Sequence, residues 1–399
     1  MSDQSCFDSC LLARPWKERM QYFNSYMANH RRLNEVDKQI MAALKEPAGA
    51  GFMFVIGPTG IGKTTARKVI YRRIINQAAG EMLADPGYLP IAGFAATTHG
   101  SNRYNWHDHW VRSLEALNEP LIEHKKLFGT PTTVEVHWTA RLRERLAALR
   151  RSFETSAKIR RLRTFLIDEA HHLTYVSDKM LRYQLEAIKS AADESEAMHV
   201  LFGTYELLLL RNASGQLGRR AITVHFDRYR AESDDDITSF VQVIKSFQVQ
   251  MPLVKAPDLL PHAEYCFERS LGCVGLLKDW FSRSLADVLE NNAKTLTYRH
   301  LQKHEYPASV LLAISTEFLK GEDQLSEAES TFALIKERLG IGIRQRKAVT
   351  KKGKQNTDKT TPHKSKHTFA KQKPKRDKVG EARVKSVTYE ADNHGLSSS

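Results

Sequence analysis

The stretch Gly57-Pro58-Thr59-Gly60-Ile61-Gly62-Lys63-Thr64 decides the fold, because it fits the phosphate-binding pattern G-x-x-x-x-G-K-[ST]. The apolar run Phe52–Ile56 directly before it predicts a buried strand. After it, apolar residues at helical spacing predict a helix that Gly80 ends. A strand, a glycine loop and a helix start form the setting in which this pattern binds polyphosphate. The stretch therefore predicts a site for a nucleoside triphosphate.

The parts of this loop have separate expected roles. Lys63 is expected to reach the β- and γ-phosphates of ATP, and the Thr64 hydroxyl to bind Mg²⁺. The helix and loop upstream are expected to enclose adenine near Asn29–Leu33. The predicted nucleotide-binding residues are Gly57, Pro58, Thr59, Gly60, Ile61, Gly62, Lys63, Thr64 and Thr65.

A second apolar stretch, Arg163-Thr164-Phe165-Leu166-Ile167-Asp168-Glu169, ends in two carboxylates, as a Walker B strand does. Asp168 is expected to hold Mg²⁺ together with Thr64, and Glu169 to polarise the attacking water. A further strand ends at Thr204, whose hydroxyl is placed to contact that water or the γ-phosphate. The two histidines after Glu169 are expected to have a structural role rather than to bind a metal.

Arg219 and Arg220 precede a fifth predicted strand, Ile222–Phe226. This is the place from which an arginine finger reaches the γ-phosphate of a neighbouring subunit, and a surface ion pair is the alternative. From Ser233, which begins a capping-box-like pattern, the chain reads as helical. Lys278, in one of these helices, is predicted to point back towards the nucleotide.

Positive charge is concentrated in two segments of this chain. Of the formal net charge of +14, the segment from Arg344 to the end carries +11, from sixteen basic and five acidic residues. A segment from Arg141 to Arg163 carries nine basic and two acidic residues. This distribution predicts nucleic acid as a partner, although a solvated helix face and a solubilising tail are the alternatives. The candidate DNA-binding residues are Arg103, Arg141, Arg143, Arg145, Arg150 and Arg151.

The remaining composition narrows the class of protein. Four cysteines match no zinc spacing and are too few for a disulfide framework, so reduced thiols are expected. The apolar runs fall short of a membrane span, and the first residues lack the features of a signal peptide. We expect a cytoplasmic protein with no membrane partner.

Five strands with a phosphate loop, a Walker B strand, a polar sensor, arginines and a helical lid, in that order, resemble the AAA+ ATPase plan. Three stretches, Leu166–His171, Phe202–Leu207 and Ser214–Arg220, more specifically resemble the TnsC/TniB transposition regulators, distant relatives of MuB. The implied fold is α/β, a five-stranded parallel sheet flanked by helices, with a C-terminal helical lid. The expected domains are an N-terminal extension (1–28), a nucleotide-binding domain (29–230) and a lid (231–340). A basic tail (341–399) is poor in apolar residues, so we expect it to be disordered, and it is not part of the family pattern.

This resemblance implies an ATPase that forms rings or filaments on double-stranded DNA and recruits a DDE transposase to a chosen target. It implies as partners the DNA, the transposase, a target-selection protein and further copies of the chain, in a bacterial nucleoid setting. It assigns Lys63, Thr64, Asp168 and Glu169 to the ATP site, Thr204 to the sensor, and Arg219 or Arg220 to the finger.

Two other readings remain open at this point. Asp168-Glu169-Ala170-His171 spells the motif of DEAH-type helicases, but such enzymes need a second RecA-like domain. Only about fifty residues separate Glu169 from the arginines, which leaves no room for that domain. An initiator or helicase-loader switch is the other reading. It should carry an arginine in the third lid helix and usually a winged-helix domain, and the sequence shows neither clearly.

Overall fold

The computed structural model of this chain describes residues 7–98, 104–125, 138–176, 178–212, 220–326 and 329–341. These residues belong to two compact units, Met1–Ala328 and Glu329–Ser399. Within the described ranges, the first unit contains the sheet and every helix except one. In the second unit the structure describes one helix, Glu329–Arg338.

Five parallel strands form a single sheet at the centre of the first unit, as the sequence predicts. The strands are β1 (Phe52–Ile56), β2 (Ile91–Ala95), β3 (Thr164–Asp168), β4 (Met198–Gly203) and β5 (Ala221–His225). Their order is β2-β3-β4-β1-β5, so the phosphate loop after β1 emerges beside the end of β4 and one strand away from β3. Every residue of β1, β3 and β4 is buried, which is typical of parallel strands covered on both faces.

Helices cover both faces of this sheet and create an apolar core on each. Phe54, Phe165 and Trp110 contribute to one core, and Val55, Ile70 and Val200 to the other. Trp110 is buried. The helices of this half are α2 (Arg31–Lys45), α3 (Lys63–Ala84), α4 (Trp106–Ala116), α5 (Trp138–Ile159), α6 (Asp178–Ser195) and α7 (Leu207–Asn212).

A third apolar core lies in the helical half of the unit, around the fully buried Trp280. The Trp280 indole N–H is satisfied by the Leu301 carbonyl at 2.9 Å. The helices around this third core are α8 (Asp234–Gln248), α9 (Ala263–Ser270), α10 (Val274–Glu290) and α11 (Tyr298–Lys303). Helix α1 (Trp16–Ser25) belongs to the same core through Met20 and Phe23, so the N-terminal segment packs with the helical half.

Helix α12 (Ala308–Leu325) leaves the helical half and packs against the α/β half. Phe318 joins the core around Phe54, and Gly321 lies against the ring of Tyr205 so closely that a Cβ there would meet ring carbons at 2.0 Å. Helix α12, which the sequence assigns to the lid, therefore packs against the α/β half. The helix of the second unit completes the series as α13.

Helix α3 departs from the sequence prediction, which ended it at Gly80. The helix continues through Gly80 to Ala84, where the backbone N–H of Asp85 donates to the Glu81 carbonyl. Gly80 is exposed, and a Cβ there would meet nothing within 4 Å. A solvated glycine costs a helix about 1 kcal/mol, which the long packed helix tolerates. Among the described residues, no helix is both long and apolar enough to span a bilayer.

Candidate functional site

The phosphate loop turns between β1 and α3 in the conformation that its glycines allow. Gly62 has φ +111°, a left-handed value that side chains disfavour, and caps the N-terminus of α3. The Lys63 ammonium is buried and donates to the carbonyls of Gly57 at 3.0 Å and Pro58 at 2.9 Å. Burial lowers the pKa of Lys63, while the charges of Glu169 and Asp168 oppose that effect. The loop thus presents a helix N-terminus and an ammonium group beside two carboxylates.

The remaining loop residues divide between packing and exposure. Ile61 is buried against the core, whereas Thr59 is exposed. Thr64 is exposed on the first turn of α3, and Thr65 lines the adjoining cavity. The nine predicted loop residues therefore lie together at the carboxyl edge of the sheet.

The two predicted Walker B carboxylates differ in their surroundings. Asp168 is 3% exposed, and its Oδ1 accepts the backbone N–H of Glu169 at 3.0 Å. Glu169 follows the strand with φ +50°, a left-handed conformation that costs a glutamate about 1–3 kcal/mol. Its side chain is 45% exposed. One carboxylate is therefore fixed in the strand end, and the other projects from it towards solvent.

Arg67, one turn after Lys63 on α3, forms an ion pair with Asp168. Its Nε lies 3.1 Å from Asp168 Oδ2, and the arginine side chain is 22% exposed. Nothing in the sequence motifs singles out this arginine. Its position four residues after the loop lysine is the only signal that would have placed it on the same helix face.

His171 and His172 lie beside Glu169. The Nδ1 of His171 is 3.3 Å from Glu169 Oε2 without hydrogen-bond geometry, and the two imidazole rings are 4.3 Å apart. Burial, with the neighbouring His172 and Lys63, lowers the pKa of His171 to about 4, so this ring is neutral at pH 7. Among the described residues, no group of three metal-ligating side chains occurs.

Thr204 begins the loop after β4, between the ends of β3 and β1. The backbone N–H of Gly57 donates to the Gly203 carbonyl at 3.3 Å, which places this loop against the phosphate loop. Thr204 is 9% exposed, and its carbonyl accepts the N–H of Leu207 as α7 begins. The structure therefore brings Lys63, Asp168, Glu169 and Thr204 to one edge of the sheet.

A cavity of about 760 Å³ adjoins the phosphate loop. The segment where we expect adenine lies at this cavity, because His30 and Leu33 line it. Burial lowers the pKa of His30 to about 4, and its ring stacks on Phe226. Apart from Lys278, the rest of the wall outside the phosphate loop had no signal in the sequence. It comes from residues 24–28 and, on α10, from Val274, Gly275, Lys278, Asp279, Ser282 and Arg283.

The N-terminus of α10 lies directly against the phosphate loop, through its backbone and through the Leu276 side chain beside Gly60. The N–H of Leu276 donates to the Gly60 carbonyl at 3.0 Å. A Cβ at Gly275 would lie 2.3 Å from that same carbonyl oxygen, so only glycine permits this contact. The helical half is therefore coupled directly to the loop.

Lys278, which the sequence predicts to point towards the nucleotide, lies one turn further along α10 and lines the cavity. Its ammonium group is 3.4 Å from the Phe23 ring centroid and donates to the Phe23 carbonyl. Burial lowers the pKa of Lys278 to about 7. The lysine thus ties α1 to α10 while facing the nucleotide cavity.

The two candidate finger arginines precede β5. Arg219 lies outside the described residues. Arg220 is beside Gly51 at the amino end of the sheet, where its carbonyl accepts the Gly51 N–H at 3.2 Å. Gly57 lies six positions after Gly51 along the extended strand, so Arg220 is roughly 20 Å from its own phosphate loop. Its guanidinium makes an exposed ion pair with Asp193 at 3.5 Å, so it has no part in the site of its own chain.

The candidate DNA-binding arginines of α5 have different surroundings. Arg143 and Arg151 are exposed, whereas Arg145 is held by the carbonyls of Ile122, Glu123 and Lys125. Arg150 pairs with Glu154 at 2.7 Å. Both Arg150 and Arg151 line a cavity of about 740 Å³ floored by Trp106 and Trp110. Arg103, the side chain of Arg141 and the tail from residue 342 lie outside the description.

The residues present fit a magnesium ion at the edge between α3 and β3. The Arg67–Asp168 contact brings the first turns of α3 within reach of the strand end. A threonine hydroxyl and a carboxylate are hard oxygen ligands, which Mg²⁺ prefers, and it usually retains several waters. Thr64 and Asp168 are the residues that would hold it.

Comparison with known proteins agrees with this fold. The sequence model of the AAA domain family matches residues 46–210. No curated protein sequence matches the chain. The sheet order and this match give the chain the AAA+ P-loop ATPase fold, with the five-stranded parallel sheet that the sequence predicts.

Several solved structures are similar in overall arrangement. The ORC2 protein of Aeropyrum pernix, solved as ADPNP–ADP complexes, has 14% identity and a TM-score of 0.46, over 71% of this chain and 70% of that one. A Walker-type ATPase of Pyrococcus abyssi has 13% identity and a TM-score of 0.42, over 76% and 78%. Domain III of the Thermotoga maritima initiation protein DnaA has 12% identity and a TM-score of 0.40, over 71% and 97%. Nothing about substrates or partners follows from these likenesses.

Proposed function

We propose that this chain hydrolyses ATP and that bound ATP holds an assembly of its copies on double-stranded DNA, where it recruits a transposase to a selected target. The observation that carries the ATPase part is the convergence of Lys63, Asp168, Glu169 and Thr204 at one edge of the sheet. The transposition part rests on the resemblance of the stretches around His171, Thr204 and Arg220 to the TnsC/TniB regulators.

Hydrolysis divides the work among these residues. Lys63 places positive charge at the β- and γ-phosphates, where negative charge develops. Glu169, projecting from the strand end, accepts a proton from the attacking water, and Thr204 orients that water. Mg²⁺, bound by Thr64 and by Asp168, neutralises charge on the phosphate oxygens when present. Because the His171 ring is neutral at pH 7, it places no positive charge beside Glu169.

The site needs a cation from outside the chain to complete this arrangement. Arg220 lies roughly 20 Å from its own loop, a distance no arginine side chain spans. A finger at this place acts on the nucleotide of a neighbouring copy, which makes hydrolysis depend on assembly. Arg219 and Arg220 are the residues we assign to this role.

The two rival hypotheses do not receive equal support. Among the described residues there is one five-stranded sheet, and a DEAH-type helicase needs two such domains. An initiator switch should place an arginine in the third lid helix, and Arg283 on α10 lies there and lines the cavity, which favours this alternative. The described residues after β5 contain no strand for a winged helix, which speaks against it.

Mixing two inactive variants tests the shared site. Lys63→Ala removes the phosphate contact but keeps the finger, and Arg219→Ala/Arg220→Ala removes the finger but keeps the loop. Each variant alone should lose ATP turnover in the presence of duplex DNA, and an equimolar mixture should regain part of it. Full turnover by the double arginine variant alone would overturn the assignment of the finger.

DNA binding has its own test on α5. Arg143→Ala/Arg151→Ala removes two exposed cations, and we expect weaker binding to duplex DNA with a shallower dependence on salt concentration. The matched control is Arg161→Ala/Arg163→Ala, two exposed arginines paired with Asp85 and Glu81. Equal losses from both pairs would remove α5 from the proposed DNA surface.

A further inference from the structure

We propose that Arg67 is a positioning residue that acts as an internal counter-ion of Asp168 and competes with Mg²⁺ for this carboxylate. The inference rests on the proposed function, since it concerns the same ATP site. No motif contains Arg67, and the hydrolysis scheme above does not use it. Its contact is with the carboxylate on which metal binding depends.

The geometry leaves Asp168 with no free oxygen. Oδ1 accepts the N–H of Glu169 at 3.0 Å, and Oδ2 accepts the Nε of Arg67 at 3.1 Å. The carboxylate is 3% exposed, so water reaches it little, and a buried carboxylate without a partner is costly. Arg67 therefore stabilises the charge of Asp168 and fixes its orientation before any metal arrives.

Mg²⁺ and its waters interact with an aspartate through the same oxygens that Arg67 uses. Asp168 Oδ1 is tied to the strand end by a bond to the adjacent residue, so Oδ2 is the oxygen that can exchange partners. The Arg67 side chain is 22% exposed, so its guanidinium has a path towards solvent when it is displaced. Metal binding is thus an exchange of one cation for another at Asp168.

Such an exchange lowers the affinity for free Mg²⁺ and keeps the site from holding metal without nucleotide. The triphosphate adds the oxygen ligands that tip the exchange towards the ion. When the metal leaves, Arg67 is still on the first turns of α3 and can pair with Asp168 again. The pair therefore makes Mg²⁺ binding conditional on ATP.

The test measures metal binding rather than turnover. A fluorescent ATP analogue is titrated with Mg²⁺ in the wild-type chain, in Arg67→Gln and in Arg67→Lys. For Arg67→Gln we expect a half-saturating Mg²⁺ concentration about fivefold lower, because the competing charge is gone. For Arg67→Lys, which keeps the charge, we expect a value near that of the wild type.

A matched control lies on the same helix. Arg73 pairs with Asp37, a carboxylate that is 3% exposed, at 2.6 Å, away from the strand ends. Arg73→Gln breaks an equivalent pair and should leave the Mg²⁺ response unchanged. An unchanged or higher Mg²⁺ requirement in Arg67→Gln overturns the inference. A wild-type chain that binds the nucleotide without any response to Mg²⁺ overturns the proposed metal site and this inference with it.

Discussion

The α/β half and the helical half of this chain build the two sides of one nucleotide cavity in different ways. In the α/β half, the phosphate side comes from short segments at neighbouring strand ends. Asp168 ends β3, Glu169 and Thr204 directly follow their strands, and Lys63 follows β1 by seven residues. In the helical half, the other side comes from α1 and α10, which lie more than two hundred residues apart in the chain and meet through packing. Chemistry is thus concentrated in one half, and its enclosure depends on the other.

The two cores also differ in the titratable side chains that they bury. The core around Phe165 includes the buried imidazoles of His109 and His199. Burial lowers the pKa of His109 to about 3 and of His199 to about 4. The core around Trp280 is mainly apolar and aromatic, and the Lys278 ammonium group lies against its Phe23 ring. A buried imidazole ties stability to pH, so the core around Phe165 should respond to acid.

The largest expected effect is on ATP turnover, which depends on groups in the α/β half. Glu169→Gln removes the base, and we expect ATP turnover to fall roughly 10²- to 10⁴-fold while ATP binding and assembly on DNA persist. Phosphate release and fluorescent-nucleotide binding measure the two separately. The control is Glu317→Gln on α12, an exposed carboxylate whose charge also acts on Lys63. Turnover equal to wild type in Glu169→Gln would remove Glu169 from the mechanism.

The second prediction concerns acid. Both histidines have folded pKa values below the ordinary 6.5, so their contribution is complete above pH 6.5 and is lost as the pH falls towards 4. Between pH 7 and 5, each should lower the free energy of unfolding by roughly 2 kcal/mol. Urea unfolding at several pH values measures this. His109→Phe should reduce the dependence by about one proton, and an unchanged slope would show that His109 does not titrate on unfolding.

The third prediction breaks the junction between the halves. In Gly275→Ala, the new Cβ would lie 2.3 Å from the Gly60 carbonyl oxygen, so α10 must move away from the loop. We expect at least about tenfold weaker ATP binding and a stability loss of about 1–3 kcal/mol. Gly80→Ala is the control, since its Cβ meets nothing and should stabilise the helix by about 0.5–1 kcal/mol. Wild-type nucleotide affinity in Gly275→Ala would mean that the halves are not coupled there.

The smallest effect is confined to the helical half. Ser233 caps α8 by accepting the N–H of Asp236, and Ser233→Ala should cost about 1 kcal/mol in urea unfolding. Ser239 lies exposed within the same helix and donates to the Asp235 carbonyl, so Ser239→Ala should change stability by less than about 0.5 kcal/mol. Neither change should alter ATP turnover. Equal losses would show that the cap is not formed in solution.

The sequence predicts the α/β half closely, because its signals are local. An apolar run followed by glycines or carboxylates identifies both the strand and the group that it positions, as at Ile56 and at Asp168. The errors in this half are at boundaries, such as the helix that continues past Gly80, where tertiary packing outweighs the weak propensity of one glycine.

The helical half was predictable only as a set of helices. Helical spacing gives an apolar face but not its partner, so nothing indicated that α1 joins the lid core or that α12 braces the sheet. The role of Arg67 was not predicted from the sequence, for a related reason. Its role depends on the contact with Asp168, 101 residues away, and a single arginine on an amphipathic helix otherwise reads as solvated surface.

Imaging the full chain with duplex DNA tests the central claim most directly. The protein is examined with a non-hydrolysable ATP analogue, with ADP and without nucleotide. Rings or filaments on the duplex that require the analogue are the predicted result, because the neighbouring copy supplies the finger that Arg220 cannot supply to its own site. Isolated monomers on or off the DNA under all three conditions would contradict the account.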